Sequence, residues 1–223
     1  VSLTGTRGAA VSVDGTSVTT SGLSEDAVAS TIDVGTDLAP PSFDRSGRVW
    51  LVDRTEGTSR VRVITPDEQL VDVPAPELEQ ASVRRMVVAP DGVRVALVYE
   101  ADGAGRLAQA LVIPRDEGSV ELSQVRDIPL GEVDGVDVAW TSATALALLG
   151  ESSGDVEPYL VELANGVLSS RGQVEGAVSI AASPGEPLVV GSRTDNDTAV
   201  VLRQDALQEW VPVADAQAPT YPG

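Results

Sequence analysis

The sequence predicts an all-β fold: a β-propeller of about five four-stranded antiparallel blades, built as a single domain over residues 1–223. Three observations predict it. A hairpin phrase recurs along the chain, most segments between turns are short and strand-like, and helical segments are nearly absent. A β-sandwich or a β-barrel is the alternative architecture that the same strands allow.

A tight turn between two apolar stretches recurs five times in the 223 residues. The copies are centred near Gly15, Gly47, Gly92, Ala143 and Gly185, at spacings of 32, 45, 51 and 42 residues. A period of roughly 40 to 50 residues is typical of propeller blades. We interpret each copy as the inner hairpin of one blade, and the short first spacing predicts a first blade that is degenerate or truncated.

The third repeat shows the complete blade pattern. The Asp91-Gly92 turn separates its first two strands, because glycine tolerates the positive φ of a tight hairpin. Four strands are expected at Val83–Ala89, Val93–Tyr99, Arg106–Ile113 and Val120–Ile128. Such a blade cannot bury both of its faces alone, so the blades must pack against one another.

The second repeat alternates at period two, as half-buried strands do. The alternation places Val49, Leu51 and Asp53 on one face of the predicted strand, with the three intervening side chains on the other. The best helical candidate in the chain is Pro76–Met86, which begins with proline and contains good helix formers. Because its second half alternates into the next strand, we interpret it as a loop with one helical turn.

Composition excludes several function classes. The chain has no cysteine and no histidine, so disulfides, Cys/His zinc sites and a catalytic imidazole are excluded. The net charge of −19 disfavours nucleic acid and anionic lipid as partners, whereas a basic protein is accommodated. No apolar run is long enough to span a membrane, and the N-terminus lacks the pattern of a signal peptide. No cofactor and no metal are expected.

Three short motifs resemble catalytic or ligand-binding patterns. Gly150–Gly154 matches the Gly-x-Ser-x-Gly nucleophile elbow, but Pro158 follows at once and no histidine is available. Gly103–Ala108 matches a dinucleotide-binding fingerprint, but Pro114 cuts short the helix that it needs. Thr194–Thr198 clusters oxygen ligands without the remote glutamate of a calcium loop. Each is better explained as a loop: a flexible loop at Gly150–Gly154, a hairpin loop at Gly103–Ala108 and a solvated loop at Thr194–Thr198.

The best candidate pair of catalytic carboxylates is Asp134 and Asp137, which precede Trp140 at the start of a predicted inner strand. Two acids at a suitable separation could hydrolyse a glycosidic bond. This enzyme hypothesis requires the two carboxylates to converge, with the pKa of at least one raised.

Acidic residues are common in two sets of predicted loops, which open on the same face of a propeller. One set follows the second strand of each blade and the other connects successive blades. On the opposite face, Arg45, Arg48 and Arg94 partly balance the acids. Such asymmetry would steer a basic partner to one face, although an acidic protein has acidic loops in any case.

Four segments are similar to the C-terminal β-propeller domain of the actinobacterial lipoprotein LpqB. They are Ala39–Arg54 (APPSFDRSGRVWLVDR), Ala89–Val98 (APDGVRVALV), Asp137–Trp140 (DVAW) and the closing Pro219–Gly223 (PTYPG). The Pro-Pro-Ser-x-Asp phrase and the Tyr-Pro-Gly ending are fairly specific, whereas Asp-Gly hairpins occur in many propellers. The likeness runs along nearly the whole chain.

The resemblance implies a domain cut from a longer protein, held on the outer face of the cytoplasmic membrane by a lipid anchor outside this chain. It also implies a preceding GerMN-like domain. The family acts as an accessory to the MtrA–MtrB two-component system in envelope and cell-division signalling. It is thought to contact the extracytoplasmic part of the sensor kinase MtrB, and it is not known as an enzyme.

Three functional hypotheses follow. The first is a non-enzymatic extracytoplasmic module that binds an envelope protein such as the sensor kinase, with no catalytic, cofactor or metal residues and unknown contact residues. The second is a propeller hydrolase that uses carboxylates near Asp134 and Asp137. The third is a purely structural support for the neighbouring GerMN-like domain.

Overall fold

A computed structural model describes residues 7–24, 28–115, 119–194 and 196–213. Within these residues, 19 strands form five small antiparallel sheets, each made of strands that are consecutive in the sequence. The predicted all-β propeller of about five blades is confirmed, and the first sheet is incomplete, with three strands. None of the helices described is long and apolar enough to cross a membrane.

Residues 1–128 form one compact unit, which we call unit 1, and it contains three sheets. The first sheet consists of β1, β2 and β3, at Arg7–Val11, Ser17–Gly22 and Ser30–Asp33. The second consists of β4 to β7, at Ser42–Phe43, Val49–Asp53, Arg60–Ile64 and Leu70–Val73. The third consists of β8 to β11, at Ser82–Val88, Arg94–Ala101, Ala104–Pro114 and Val120–Ile128.

Residues 129–223 form a second compact unit, unit 2, with two four-stranded sheets. Its first sheet consists of β12 to β15, at Asp134–Trp140, Ala145–Ser152, Asp155–Glu162 and Val167–Ser170. Its second sheet consists of β16 to β19, at Ala177–Ala181, Val189–Arg193, Ala199–Gln204 and Trp210–Pro212.

The candidate helix at Pro76–Met86 forms a single 3₁₀ turn, Pro76–Leu78, and the chain then enters β8. This confirms the interpretation as a loop with one turn. A second 3₁₀ turn, Thr55–Gly57, joins β5 to β6. Loops and turns therefore carry almost all of the connections between strands.

The central strand of the second sheet is buried on both faces. Every residue of β5 is buried, and its side chains alternate between two apolar clusters. Val49 and Leu51 pack toward the first sheet, whereas Trp50 and Val52 pack toward the third sheet. The predicted alternation is confirmed, but the strand is not half-buried, because a blade between two others has no solvent-facing surface.

In each unit, the strands of a sheet end at two opposite sides, and the turns at these two sides differ. The connection side of unit 1 carries the segments that lead into the second and third sheets, 34–41 and 74–81, together with the turns at Gly57 and Gly103. The hairpin side carries the turns between the first two strands of a sheet, at Gly47 and Gly92. Unit 2 has the same arrangement, with 171–176 and Gly154 on its connection side and Gly185 on its hairpin side.

The interpretation of the Gly15 turn as an inner hairpin is wrong. The Leu38 N–H donates to the Gly15 carbonyl at 3.0 Å, so this turn lies on the connection side. Strands β1 to β3 therefore correspond to the second, third and fourth strands of the other sheets. Gly15 belongs with Gly57, Gly103 and Gly154, all at positive φ, and this series has spacings of 42, 46 and 51 residues. The short first spacing thus came from comparing two different turns.

The turn between β4 and β5 is organised by a buried aspartate. Asp44 accepts hydrogen bonds from the backbone N–H groups of Ser46 and Arg48 at 2.8 and 3.0 Å. Its second oxygen accepts one from the indole N–H of Trp50 at 3.0 Å, and both side chains are buried. The carboxylate thus fixes the turn and satisfies a polar group inside the apolar cluster.

We expect Asp44→Ala to lower the free energy of unfolding by about 1–3 kcal/mol, because it leaves the buried indole N–H without an acceptor. Asp91→Ala is the matched control. Asp91 occupies the same turn of the third sheet, but its carboxylate is more exposed and, among the described residues, accepts hydrogen bonds from the Val93 N–H and Arg94. Urea denaturation measures both, and equal losses would contradict the assigned role of the Trp50 contact.

Candidate functional site

Many of the acidic side chains on the connection side of unit 1 hold the backbone in place. Asp53, at the end of β5, accepts hydrogen bonds from the Thr55 hydroxyl at 2.6 Å and the Thr36 N–H at 3.3 Å. Arg62 lies 3.7 Å from the other carboxylate oxygen. A Cβ on Gly35 would lie 2.4 Å from this carboxylate, so a larger residue here would displace the Asp53 side chain. Asp53 thereby ties the segment before the second sheet to that sheet.

The pKa of Asp53 reflects two opposing causes. Burial raises it, but the hydrogen bonds from Thr55, Thr36 and Asp37 and the charge of Arg62 outweigh burial and hold the pKa below its ordinary value of 3.8. The folded protein therefore favours the ionised carboxylate.

Glu77 likewise ties the next connection, which leads into the third sheet, to that sheet. Its two carboxylate oxygens accept the backbone N–H groups of Gln124 and Val125 at 2.8 and 3.1 Å. These N–H groups converge because β11 bulges there, with Gln124 at a φ of +56°. Glu77 lies in the loop PAPELEQ, which the sequence predicted to be part of an acidic face. Its carboxylate instead links this connection to the third sheet.

Several other acids of this side are paired with arginine. Four ion pairs occur on or near the connection side of unit 1: Asp37 with Arg54, Glu100 with Arg84, Asp102 with Arg106, and Asp72 with Arg62. Exposed pairs of this kind contribute little to stability, but they cancel local charge. The connection side of unit 1 is therefore less acidic than its sequence indicates.

In unit 2, Asp137 also serves the backbone. One of its carboxylate oxygens accepts the Ile180 N–H at 2.9 Å and the other the Val138 N–H at 2.8 Å. The bond to Ile180 joins β12 to β16, the first strands of the two sheets. Asp134 is exposed at the start of β12, opposite Glu151 of β13. The candidate pair of catalytic carboxylates thus consists of one structural aspartate and one exposed aspartate.

The exposed acids of unit 2 have few basic neighbours. Residues 129–223 contain 14 acidic residues and three arginines, whereas residues 1–128 contain 20 and 12. One of the three arginines, Arg193, is paired with Asp197 at 2.6 Å. We use the name unit 2 acidic loops for four exposed residues on the connection side: Glu132, Asp134, Glu151 and Glu175. They are the candidate site for a basic partner.

The three short motifs that resemble catalytic or ligand-binding patterns lie in loops between strands, as expected. Ser152 pairs with Asp155 across the two-residue turn Ser153-Gly154, so the Gly-x-Ser-x-Gly segment leads into a strand rather than a helix. Ala101 pairs with Ala104 across an equally short turn at Gly103. Thr194–Thr198 also joins two strands, although its Asp195 lies outside the described residues, as does the closing Pro219–Gly223.

The described residues contain no group of three or more acidic side chains that could hold a metal ion.

A groove of about 280 Å³ lies beside β7 in unit 1. Arg60, Asp72 and Glu79 line it together with Val61 and Val73. This groove is separate in sequence from Asp134 and Asp137 and belongs to the outer edge of the second sheet.

Comparison with protein families shows which family the chain resembles. The family model described as "Lipoprotein LpqB beta-propeller domain" matches residues 1–222. The chain belongs to this family. Lipoprotein LpqB of Thermobifida fusca is 29% identical over 264 residues, covering 100% of this chain and 41% of that protein. The chain thus spans about two fifths of the length of this relative.

Solved structures show the same fold. TolB from Acinetobacter baumannii aligns with a TM-score of 0.62 and 12% identity, covering 88% of this chain and 47% of that chain. A gluconolactonase from Xanthomonas campestris aligns with a TM-score of 0.60 and 14% identity, covering 92% of this chain and 74% of that chain. At such low identity the likeness concerns the fold alone, and chains with quite different names share it.

We expect Asp137→Ala to lower the free energy of unfolding by about 1–3 kcal/mol, because two backbone N–H groups lose their acceptor. Asp134→Ala should change it by less than about 0.5 kcal/mol, because that side chain is exposed. Chemical denaturation of the two variants measures the difference. A neutral Asp137→Ala would show that the link between β12 and β16 is dispensable.

The lowered pKa of Asp53 predicts how the free energy of unfolding changes as the pH falls. A carboxylate whose pKa is lower when folded stabilises the protein above its unfolded pKa, and this contribution is lost as pH falls through the folded pKa. Asp53→Asn should therefore cost stability at pH 7, and the gap to the parent protein should shrink below about pH 4. Asp72→Asn, at an exposed carboxylate, is the control. A gap that stays constant with pH would contradict this.

Proposed function

We propose that this domain is a non-enzymatic, extracytoplasmic protein-interaction module of a membrane-anchored lipoprotein. The relatives that share its family carry the name lipoprotein, and the proposal places the domain on the outer side of the cytoplasmic membrane. The sequence lacks histidine and cysteine, and the most plausible carboxylate pair includes Asp137, which is occupied by backbone hydrogen bonds.

The observation that carries the proposal is the unequal use of acidic residues. In unit 1, several acids of the connection side, such as Glu77, Asp37 and Glu100, bind backbone N–H groups or arginines, whereas the four residues of the unit 2 acidic loops are exposed and have no ion pair among the described residues. Exposed charge that performs no structural task is available to a partner. Charge of one sign on a surface accelerates association with a partner of opposite sign and makes binding sensitive to salt.

The partner in this proposal is a basic surface of an envelope protein, and the extracytoplasmic part of an MtrB-type sensor kinase is the first to test. The domain would then act as an accessory to a two-component system in envelope and cell-division signalling. The GerMN-like domain of the same protein would be its second contact. The alternative of a pure support for that domain predicts no binding to the kinase.

The test is a binding titration of the domain against the extracytoplasmic segment of the kinase, at low and moderate salt. We expect Glu132→Lys, Glu151→Lys and Glu175→Lys together to weaken binding by about tenfold or more at low salt, because attraction becomes repulsion. The wild-type affinity should also fall as salt rises.

The matched control reverses the same amount of charge on the hairpin side of unit 2, as Glu162→Lys, Glu186→Lys and Glu209→Lys. This variant should retain affinity within about threefold, since its charges lie away from the proposed contact. Equal losses in both variants would mean that net charge, rather than these loops, governs association. No binding by the parent domain would shift the function to support of the neighbouring domain.

A further inference from the structure

The loop between β14 and β15 presents an Asn-Gly pair to solvent. Asn165 is exposed, and Gly166, which follows it, has a φ of +67°. Asparagine followed by glycine is chemically reactive, because glycine has no side chain to shield the asparagine Cγ from the next backbone nitrogen. The chain has two asparagines, Asn165 and Asn196, and the first of them precedes glycine.

The reaction open to this pair is deamidation through a cyclic imide. The Gly166 backbone nitrogen attacks the Asn165 Cγ, so an N–Cγ bond forms and the Cγ–Nδ2 bond breaks. Nδ2 leaves as ammonia with the proton that the attacking nitrogen gives up, and nothing is oxidised or reduced. Water then opens the imide at Cγ to give aspartate, or at the backbone carbonyl to give isoaspartate, in which the chain runs through Cβ and Cγ.

In the folded turn, both reacting groups are held in other contacts. The Gly166 N–H donates to the carbonyl oxygen of Glu162 at 2.8 Å. The Asn165 Oδ1 accepts the Val167 N–H at 3.1 Å, and its Nδ2 donates to the Glu162 carboxylate at 3.2 Å. The nitrogen and the side-chain amide must leave these contacts before they can meet. Deamidation therefore requires the turn to open.

The strand that follows the turn is suited to local opening. β15 is the outermost strand of its sheet and has four residues, of which Leu168 is half-buried and the others are exposed. Segments with few buried apolar contacts open at a lower free energy than the core of a protein. The turn can therefore open while the rest of unit 2 stays folded.

We infer that Asn165 is a site of spontaneous deamidation, that the folded turn slows the reaction, and that isoaspartate at this position loosens β15. Isoaspartate lengthens the backbone by the Cβ atom in a turn that is closed by the bond between Gly166 and Glu162. It also places a carboxylate where an amide donated to Glu162, so attraction is replaced by repulsion. This inference does not rest on the proposed function.

Asn196 is a matched control within the same chain. It is exposed in a loop of unit 2, and the N–H of the next residue, Asp197, donates to the Thr194 carbonyl at 2.8 Å. Asp197 has a φ of +58°, close to that of Gly166. In both loops the attacking nitrogen is thus held in a similar way, and the residue that follows asparagine differs.

The first experiment ages the chain in mildly alkaline buffer, folded and in guanidinium chloride, and follows deamidation by mass spectrometry. Cleavage after arginine places the two asparagines in separate peptides, 127–171 and 194–203. In denaturant we expect Asn165 to deamidate at least about tenfold faster than Asn196, because glycine lowers the barrier. Folding should slow Asn165 by at least about tenfold. Equal rates at the two sites in denaturant, or an Asn165 rate unaffected by folding, would overturn the inference.

Gly166→Ala tests the glycine itself. In denaturant this variant should deamidate at Asn165 at least about threefold more slowly than the parent chain, because alanine restores the shielding Cβ. The measurement does not depend on whether the variant folds. A rate equal to that of the parent chain would contradict the role given to Gly166.

The last experiment examines the product. Isoaspartate chains are separated by ion exchange, and hydrogen exchange is measured over 167–170 and in the buried strand β13. We expect faster exchange in the first segment and unchanged exchange in β13. Asn165→Asp, which adds the charge without the longer backbone, should lie between the parent and the isoaspartate chain. Exchange over 167–170 that matches the parent chain would overturn the assigned effect on β15.

Discussion

The need to bury both faces of an inner sheet governs the rest of unit 1. Strand β5 has no solvent-facing side chain, because Val49 and Leu51 enter one apolar cluster and Trp50 and Val52 enter the other. With aromatic residues at only 3% of the chain, valine, leucine and alanine must fill most of this space. Small β-branched side chains suit closely packed strands, and each connection of unit 1 adds a buried leucine, Leu38 before the second sheet and Leu78 before the third.

Carboxylates add polar links to those connections. Asp53 and Glu77 in unit 1 and Asp137 in unit 2 each accept backbone N–H groups from another element. A charged acceptor makes stronger hydrogen bonds than a neutral one, and it needs no large volume. The acidic composition is therefore partly architectural, because an ionised side chain accepts the backbone N–H groups that apolar packing of the connection leaves without a partner.

The sequence predicted the period, the strands of the third sheet and the loop nature of the three short motifs, because turn chemistry and alternation are local signals. It misplaced the Gly15 turn, since two kinds of turn use the same glycine and look alike without strand direction. It also could not separate structural acids from available ones. Glu77 and Glu175 both lie in predicted acidic connections. Glu77 is structural because the bulge in β11 and the positive φ of Gln124 direct two backbone N–H groups toward it, and neither feature can be recognised from the sequence.

For the proposed function, the separation between structural and available acids indicates which acids a partner would contact. An acid that already accepts two backbone N–H groups would have to give them up to bind a basic side chain, which costs more than an exposed ion pair returns. An exposed glutamate such as Glu151 loses only water and some rotational freedom. Arginine further divides the surface, since 12 of the 15 lie in residues 1–128, where several are paired with acids. The acids available for the proposed electrostatic recognition therefore lie in unit 2, because several acids of unit 1 already hold its backbone or pair with arginine.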